Sequence, residues 1–285
     1  MGETEKALIK RLAVEAPARG TIFHYTSMEG LLGIIKDKAL WTSDIRYLSD
    51  STEFAYAVEL SRAKLGRKLR AERGPWNTYY GTVLDRLDAI KDIPLFVGSF
   101  SEQGDLLSQW RAYSPNGVGF SIGFDYHYLK TLADKQHFRI VRCVYQESEH
   151  DALLEELINL AGSLVRDGEH EDAVIAFFIG LYTVAPALKH PSFSEEREWR
   201  VFSEIGEQQI PSDNTRTKMR VGKSMLVPYR EFGLARDNGR LSLSKVIVGP
   251  TPHMALSISS LQSFLLSSDV EGWQILPSSV PYRSW

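Results

Sequence analysis

The sequence contains very little cysteine: Cys143 stands alone among 285 residues. A single cysteine excludes an intrachain disulfide and any metal site built from several thiolates, and it suits a reducing compartment. Long apolar runs are also scarce. The longest, "AVIAFFIGLYTVAPAL", has Pro186 near its end and predicts a buried core helix rather than a membrane span. The first twenty residues are charged throughout, unlike a signal peptide. We therefore expect a cytoplasmic protein with no membrane partner.

Neither sign of charge dominates, because 36 acidic residues face 33 basic ones and the net charge is −3. This near-balance provides no general attraction to nucleic acid, which would need a local basic patch. The sequence also lacks HExxH, EF-hand, Walker A and G-x-S-x-G patterns. These absences exclude the common metal, phosphate-loop and serine-nucleophile sites, so we expect no metal cofactor.

The order of the predicted elements indicates an α+β fold. Strands and helices alternate first, strands then cluster, two helices follow from Glu147 to Lys189, and strands return towards the C-terminus. Such segregation favours a mixed or largely antiparallel sheet over a doubly wound parallel one. We predict a lead-in helix or tail over residues 1–20 and a single domain over 21–285. That domain has a central mixed, largely antiparallel sheet and a helical insertion at about 147–189.

The segment "IFHYTS" is the first candidate for a binding site. His24 and Thr26 lie on the same side of a strand, which alternates faces, and Tyr25 lies between them. A helix begins directly afterwards and offers free N–H groups that could bind a ribose or an amide. The structural alternative is a satisfied histidine followed by Thr26 as a helix cap, with Glu29 at capping-box spacing.

Two further segments carry candidate binding groups. "ALWTSDIRYLSDSTEF" places Trp41, Ser43, Asp50 and Glu53 around a loop, where binding groups concentrate. Its structural alternative is that Asp50 caps a helix and Glu53 complements its dipole. In the other segment, "SFSEQGDLLSQWRAY", a strand ends and a short helix follows. Its candidates are Phe100, Ser101, Gln109, Trp110 and Tyr113, of which the two large aromatics are either core residues or a stacking wall for a flat ligand.

The segment "FSEEREWRVF" raises the sharpest question, because Glu196 and Glu198 precede an apolar run. Strand spacing would place both glutamates and Arg200 on one face. An unpaired buried carboxylate costs several kcal/mol, so these acids are solvated, paired or used in chemistry. The alternative to a catalytic pair is a row of salt bridges on an edge strand, with Lys189 just upstream as a further cation.

Four blocks in this order resemble the bacterial DUF2971 family, whose function is unknown. They are "HYTSMEGLLGIIKDKALWTSDIRYLSDSTEF", "SFSEQGDLLSQWRAYSPNGVGFSIGFD", "KHPSFSEEREWRVF", and "VIVGP" with the closing "PYR". The resemblance runs from about Ile22 to Arg283.

The same scheme is more distantly similar to the ADP-ribosyltransferase fold. That resemblance implies that NAD is the substrate and that His24 and Thr26 hold its nicotinamide-side ribose and amide. It also implies that Glu198 bonds the ribose 2′-hydroxyl, stabilising the oxocarbenium-like state as nicotinamide leaves, and that Glu196 orients or deprotonates the acceptor. Phe100 and Ser101 would line the pocket floor, with Trp110 or Tyr113 stacked on nicotinamide.

Three interpretations remain open at this point. The first is an NAD-consuming ADP-ribosyltransferase or NAD glycohydrolase, suggesting an intracellular toxin or phage-defence effector. The second is a nucleic-acid-processing enzyme in which His24, Arg200 and Arg283 grip phosphate, against which the net charge counts. The third is a catalytically silent module that binds a nucleotide or a partner. The sequence leaves the macromolecular acceptor undetermined.

Overall fold

The computed structural model describes residues 7–8, 11, 16–17, 20–48, 52–114, 118–165, 170–204, 216–222 and 224–281, with side chains from Phe54 onward in the helix that begins at Thr52. Within these ranges, no helix is both long enough and apolar enough to cross a membrane. The architecture is a large sheet with helices against both of its faces.

The sheet is mixed and largely antiparallel. The strands are β1 (Thr21–Thr26), β2 (Ala39–Asp44), β3 (Phe96–Ser101), β4 (Phe120–Asp125), β5 (Phe138–Arg142), β6 (Glu198–Ser203), β7 (Lys218–Val221), β8 (Leu226–Gly233), β9 (Leu241–Ser242), β10 (Lys245–Val248), β11 (Val270–Glu271) and β12 (Ile275–Pro277). The main path is β12-β10-β4-β1-β3-β2-β8-β7, β6 pairs with β3 and β5, and β9 pairs with β11 in a separate small sheet. Among the described strand pairings of the main sheet, only β10–β12 is parallel. The α+β prediction is confirmed.

Residues 7–8 and 11 are helical, and eight α-helices accompany the strands in the described ranges from residue 20 onward. They are α1 (Met28–Asp37), α2 (Thr52–Ala71), α3 (Trp76–Arg86), α4 (Leu107–Tyr113), α5 (Tyr126–Lys135), α6 (Glu147–Gly162), α7 (Glu171–Val184) and α8 (Met254–Leu266). Short 3₁₀ turns occur at Ile45–Tyr47, Leu87–Asp92, Ala185–Ala187 and Pro191–Glu196. The sequence patterns predicted most of these elements but missed α3, α5, β7, β9 and β11.

Two hydrophobic cores cover the two faces of the sheet. Neighbouring residues of β6 point to opposite faces, so Phe202 packs into one core and Val201 into the other. The Phe202 core is built mainly by helices α2, α3, α6 and α7. The Val201 core is built by α1, α5 and α8. The helices predicted at about 147–189 therefore share their core with α2 and α3.

The start of α1 differs from the prediction. Thr26 is the last residue of β1, and the helix cap is Ser27, whose Oγ accepts a hydrogen bond from the Gly30 N–H at 3.1 Å. Thr26 instead lies against Gly30, since a Cβ at that glycine would come within 1.9 Å of the Thr26 hydroxyl oxygen. The hydroxyl of Thr26 therefore does not cap the helix.

Gly162, at the end of α6, allows close packing against the Trp76 ring at the start of α3. A Cβ at Gly162 would lie 2.5 Å from one atom of that rigid ring. We expect Gly162→Ala to lower the free energy of unfolding by about 1–3 kcal/mol through overpacking. The matched control is Gly81→Ala within α3, where a Cβ meets nothing within 4 Å. That change should stabilise the helix by about 0.5–1 kcal/mol. Thermal melting measures both, and a similar rise in Tm for both would contradict the packing argument.

Candidate functional site

The sheet forks at β3, and the fork creates a cleft. One edge of β3 pairs with β6 along its length, from Val97 to Ser101. Its other edge pairs with β2 at the start, where Val97 faces Ser43, and with β1 at the end, where Ser101 faces Phe23. β1 and β2 therefore diverge from one strand and leave a gap beside Ser99.

Two cavities meet in this gap. The larger is about 610 Å³ and lies between β1, β2, β3, β7 and the first turns of α1. The smaller is about 40 Å³ and lies between β1, β3, α4 and the segment that leads into β6. His24, Ser99 and Tyr113 line both cavities, so these three residues mark the junction.

The structure brings many of the predicted site residues together here. Among them, the larger cavity is lined by His24, Thr26, Trp41, Ser43 and Tyr113, and the smaller one by His24, Tyr25, Phe100, Gln109, Tyr113, Glu196 and Glu198. Their sequence separation is large, since His24 and Ser99 are 75 residues apart. Convergence of independent segments on one concavity is what a ligand site requires.

Several predicted residues lie outside the cavities or have their polar groups already bonded within the protein. Trp110 is fully buried, and its indole N–H donates to Asp105 at 2.8 Å, so its predicted stacking on a ligand is wrong. Ser101 is buried beside the cavities and donates to the Glu196 carbonyl at 2.6 Å. Tyr25 reaches the smaller cavity, but its hydroxyl donates to Gln103 at 2.7 Å. Asp50 and Arg283, and the side chain of Glu53, lie outside the described residues.

His24 has a defined proton position. Its Nδ1 lies 2.9 Å from the Ser99 carbonyl oxygen. A carbonyl can only accept, so Nδ1 carries the hydrogen and the neutral ring offers a lone pair at Nε2. Burial lowers the pKa of His24, although its bond to Ser99 acts in the opposite direction. His24 therefore enters the site as a neutral, oriented imidazole.

Glu198 is the centre of a buried ion cluster. Arg200 binds it through two bonds of 2.9 Å, and Lys189 Nζ lies 2.5 Å from its Oε2. All three residues are 4% exposed or less. Burial alone would raise the pKa of Glu198, but the charges and hydrogen bonds of Arg200 and Lys189 outweigh it and hold the pKa at about 2. Glu198 is thus a fixed anion at neutral pH.

Glu196 behaves differently although it shares the same lysine. Its Oε2 lies 2.5 Å from Lys189 Nζ, and its side chain remains 18% exposed. Burial raises the pKa of Glu196, and the attraction of Lys189 offsets this only in part. Two neighbouring carboxyls with pKa values moved in opposite directions are typical of acid–base sites.

The prediction that strand spacing places Glu196 and Glu198 on one face is wrong. Glu196 ends a 3₁₀ turn, Arg197 has a left-handed backbone with φ of 42°, and β6 begins only at Glu198. The two acids do not occupy one strand face, and Lys189 draws them together instead. Nor is β6 an edge strand, because it pairs on both sides, with β3 and β5. The edge-strand placement is therefore wrong, but the predicted pairing of the two glutamates with Lys189 and Arg200 is confirmed.

Sequence reasoning missed Arg220, a cation in the wall of the larger cavity. It lies on β7, and its Nη2 donates to Ser43 Oγ at 3.1 Å. At the other side of the cavity Glu29 and Ser27 occupy the start of α1, and hydrogen bonds from the Glu29 backbone N–H and from Ser27 lower the pKa of Glu29. The cleft is therefore cationic at the β7 wall and acidic at the α1 wall.

The model of a family described as a protein of unknown function, DUF2971, matches residues 109–201, about a third of the chain. No curated protein and no solved structure matches. The matched segment includes Gln109, Tyr113, Lys189 and both glutamates of the smaller cavity. The predicted resemblance is thus confirmed for this segment: over residues 109–201 the chain is similar to the DUF2971 family.

Proposed function

We propose that this protein consumes NAD, cleaving the bond between nicotinamide and ribose and passing the ADP-ribosyl group to an acceptor. One observation carries the proposal. His24 on β1 and the two glutamates beside β6 line a single small cavity that adjoins a much larger cleft. A nucleotide substrate needs the large space, and a ribosyl transfer needs a carboxylate at the reacting carbon.

The size and walls of the cleft support a ligand of this kind. Its volume of about 610 Å³ falls within the range of roughly 300–1,000 Å³ typical of small-molecule sites. Trp41 and Tyr113 line it and are 42% and 45% exposed, so two aromatic surfaces are available to flat rings. Exposed aromatics inside a concavity are characteristic of stacking on bases.

The proposed reaction breaks the C1′–N bond of the nicotinamide riboside. The bonding electron pair leaves with the pyridinium nitrogen, which becomes neutral, and positive charge develops on the ribose. An acceptor N–H or O–H then forms a new bond to C1′ and gives up its proton. The protein must therefore stabilise a developing cation and take up one proton.

Glu196 is suited to take up that proton. Its raised pKa makes it a better base than an ordinary carboxylate, and it lines the smaller cavity. That cavity of about 40 Å³ has room for about three water molecules, or for one small nucleophilic group. We place the acceptor there and the departing nicotinamide on the side of the larger cleft.

Glu198 and His24 present a carboxylate and an imidazole in fixed positions to the substrate. Three bonds from Arg200 and Lys189 hold the Glu198 carboxylate in one position, so no reorganisation is needed when charge develops beside it. The hydrogen bond from His24 Nδ1 to the Ser99 carbonyl fixes the orientation of the neutral ring. The Nε2 atom of that ring can then accept a hydrogen bond from a ribose hydroxyl. Both residues act by position and charge rather than by proton transfer.

The experiment is release of nicotinamide from NAD by the purified protein, with and without cell extract as a source of acceptors. Release in either condition supports the proposal, and release that requires extract identifies a transferase. Absence of release in both conditions, with NAD still bound, would favour a silent nucleotide-binding module. In the proposed role the protein acts in the cytoplasm as a toxin or phage-defence effector.

The described residues do not support the nucleic-acid-processing interpretation, whose Arg283 lies outside them. Arg200 is 2% exposed and engaged by Glu198, so it does not support a role in gripping phosphate. The overall charge of −3 points the same way.

A further inference from the structure

Arg220 is an unusual cation for this protein. The other cations close to the cavities face carboxylates: Lys189 and Arg200 contact Glu198. In contrast, the Arg220 guanidinium donates to the Ser43 hydroxyl. In the described part of the chain no carboxylate is within salt-bridge distance of it. A half-buried arginine beside a hydroxyl retains donors for an anion.

An aromatic surface lies next to this cation. Trp41 and Ser43 are two residues apart on β2 and therefore share a face of the sheet. Tyr229 on β8 is directly opposite Ser43 and stacks behind Trp41, with ring centroids 4.5 Å apart and planes inclined by 29°. Tyr229 is buried and fixes the Trp41 ring, whose remaining surface is exposed in the cavity.

We infer that Arg220, Ser43 and Trp41 form a subsite for a nucleoside diphosphate, with phosphate on Arg220 and the base on Trp41. The inference deepens the proposed function, on which it rests for the identity of the complete substrate. Arg220 reaches across β8 to Ser43, so the cation and the aromatic ring border the same stretch of sheet. A guanidinium with a neighbouring hydroxyl binds phosphate oxygens, and stacking on Trp accepts any base.

The other end of the cleft does not suit phosphate. Helix N-termini often bind anions, but here Ser27 caps the first turn of α1 and Glu29 adds a negative charge there. The diphosphate therefore binds at the β7 wall. The subsite also places the base at a distance from the small acidic cavity, which Trp41 and Arg220 do not line.

The test is calorimetric binding of ADP and of adenosine, which needs no reaction. Wild-type protein should bind ADP at least 10-fold more tightly than adenosine. Arg220→Gln should weaken ADP binding about 10- to 100-fold and leave adenosine binding within twofold. Trp41→Ala should weaken both ligands about 5- to 100-fold, because each loses its stacking surface.

Lys218→Gln is the matched control. It removes the same charge two residues away on β7, from a lysine that already pairs with Glu231 at 2.7 Å, and it should leave ADP binding within twofold. Arg220→Lys keeps the charge and should lose less affinity than Arg220→Gln, which separates phosphate binding from a folding defect. Equal losses for Lys218→Gln and Arg220→Gln, or ADP binding unaffected by Arg220→Gln, would overturn the subsite.

Failure of the subsite and failure of the proposed function give different results. ADP binding that depends on Arg220, without any nicotinamide release, would contradict the proposed reaction and support the subsite. Nicotinamide release with an unchanged KM for NAD in Arg220→Gln retains the reaction and removes the subsite. Protein that binds neither ADP nor NAD removes both.

Discussion

Glu196→Gln should slow nicotinamide release from NAD by about 10²- to 10⁴-fold, the range for loss of one positioned acid or base. Glutamine keeps the shape of the side chain but cannot accept the acceptor's proton. Folding should change little, because Glu196 lies at the rim of the ion cluster and Lys189 still has Glu198 as its partner. The measurement is single-turnover nicotinamide release, compared with the Tm of each variant.

The neighbouring Glu195→Gln is the matched control, since it removes the same charge from an exposed side chain one residue earlier. It should retain wild-type turnover. Loss of activity in both variants would assign the effect to local charge rather than to proton transfer. Full activity in Glu196→Gln would contradict its role as a base.

The pH dependence of kcat/KM is a second test of Glu196 as the base. A base must be ionised, so wild-type kcat/KM should fall as pH decreases through the pKa of Glu196. Because burial raises that pKa, the fall should occur at higher pH than for an ordinary glutamate. Glu196→Gln should lack this acidic limb. An unchanged limb in the variant would assign the titration to another group.

Glu198→Gln should destabilise the fold, by about 3–5 kcal/mol, because it leaves the buried Arg200 without its counter-charge. Arg200 is 2% exposed and would face a neutral amide, whereas Lys189 keeps Glu196 as a partner. The expected fall in Tm is roughly 10 °C for a chain of this size. Thermal melting measures it, and a Tm within 2 °C of wild type would contradict the buried-cluster argument.

Two further variants check the cause of this loss. Asp237→Asn removes a carboxylate from an exposed pair with Lys135 and should cost less than about 1 kcal/mol. Lys189→Met combined with Glu198→Gln should cost less than the sum of the single changes, because both sides of one contact are removed.

The stability that Glu198 contributes should also depend on pH. Since the pKa of Glu198 is depressed to about 2, its contribution to the free energy of unfolding is present above the ordinary glutamate pKa and is lost as pH falls towards 2.

Local patterns predicted most elements because they depend on neighbouring residues. The apolar spacing of Leu31, Ile34 and Ile35 defines the buried face of α1, and the continuous apolar run around Phe96 defines β3. The errors occurred where adjacent residues offered equivalent choices. Thr26 and Ser27 are both good helix caps, and only the end of β1 at Thr26 decides between them.

The candidate site was predictable in its members but not in its geometry. His24 and the glutamates were identified from residue type, whereas the fixed charge of Glu198 depends on Lys189, nine residues upstream, which reaches it through the turn at Pro191–Glu196. Arg220 gave no signal, because its proximity to Ser43 arises from the order β2-β8-β7. The sequence left Trp110 open between a core ring and a cavity wall because residue type does not distinguish the two, and its burial decides for the core.

The fork at β3 also determines when the cleft can first form during synthesis of the chain. β1, β2 and β3 are made early, but β3 pairs with β6, which comes much later in the chain: Ser101 and Glu196 are 95 residues apart. Contacts of such separation form slowly, and only after both segments have left the ribosome. A nascent chain that ends before β6 lacks Glu198 and the β3–β6 pairing, so the smaller cavity is incomplete. Incomplete products of translation that end before β6 therefore lack the complete cleft.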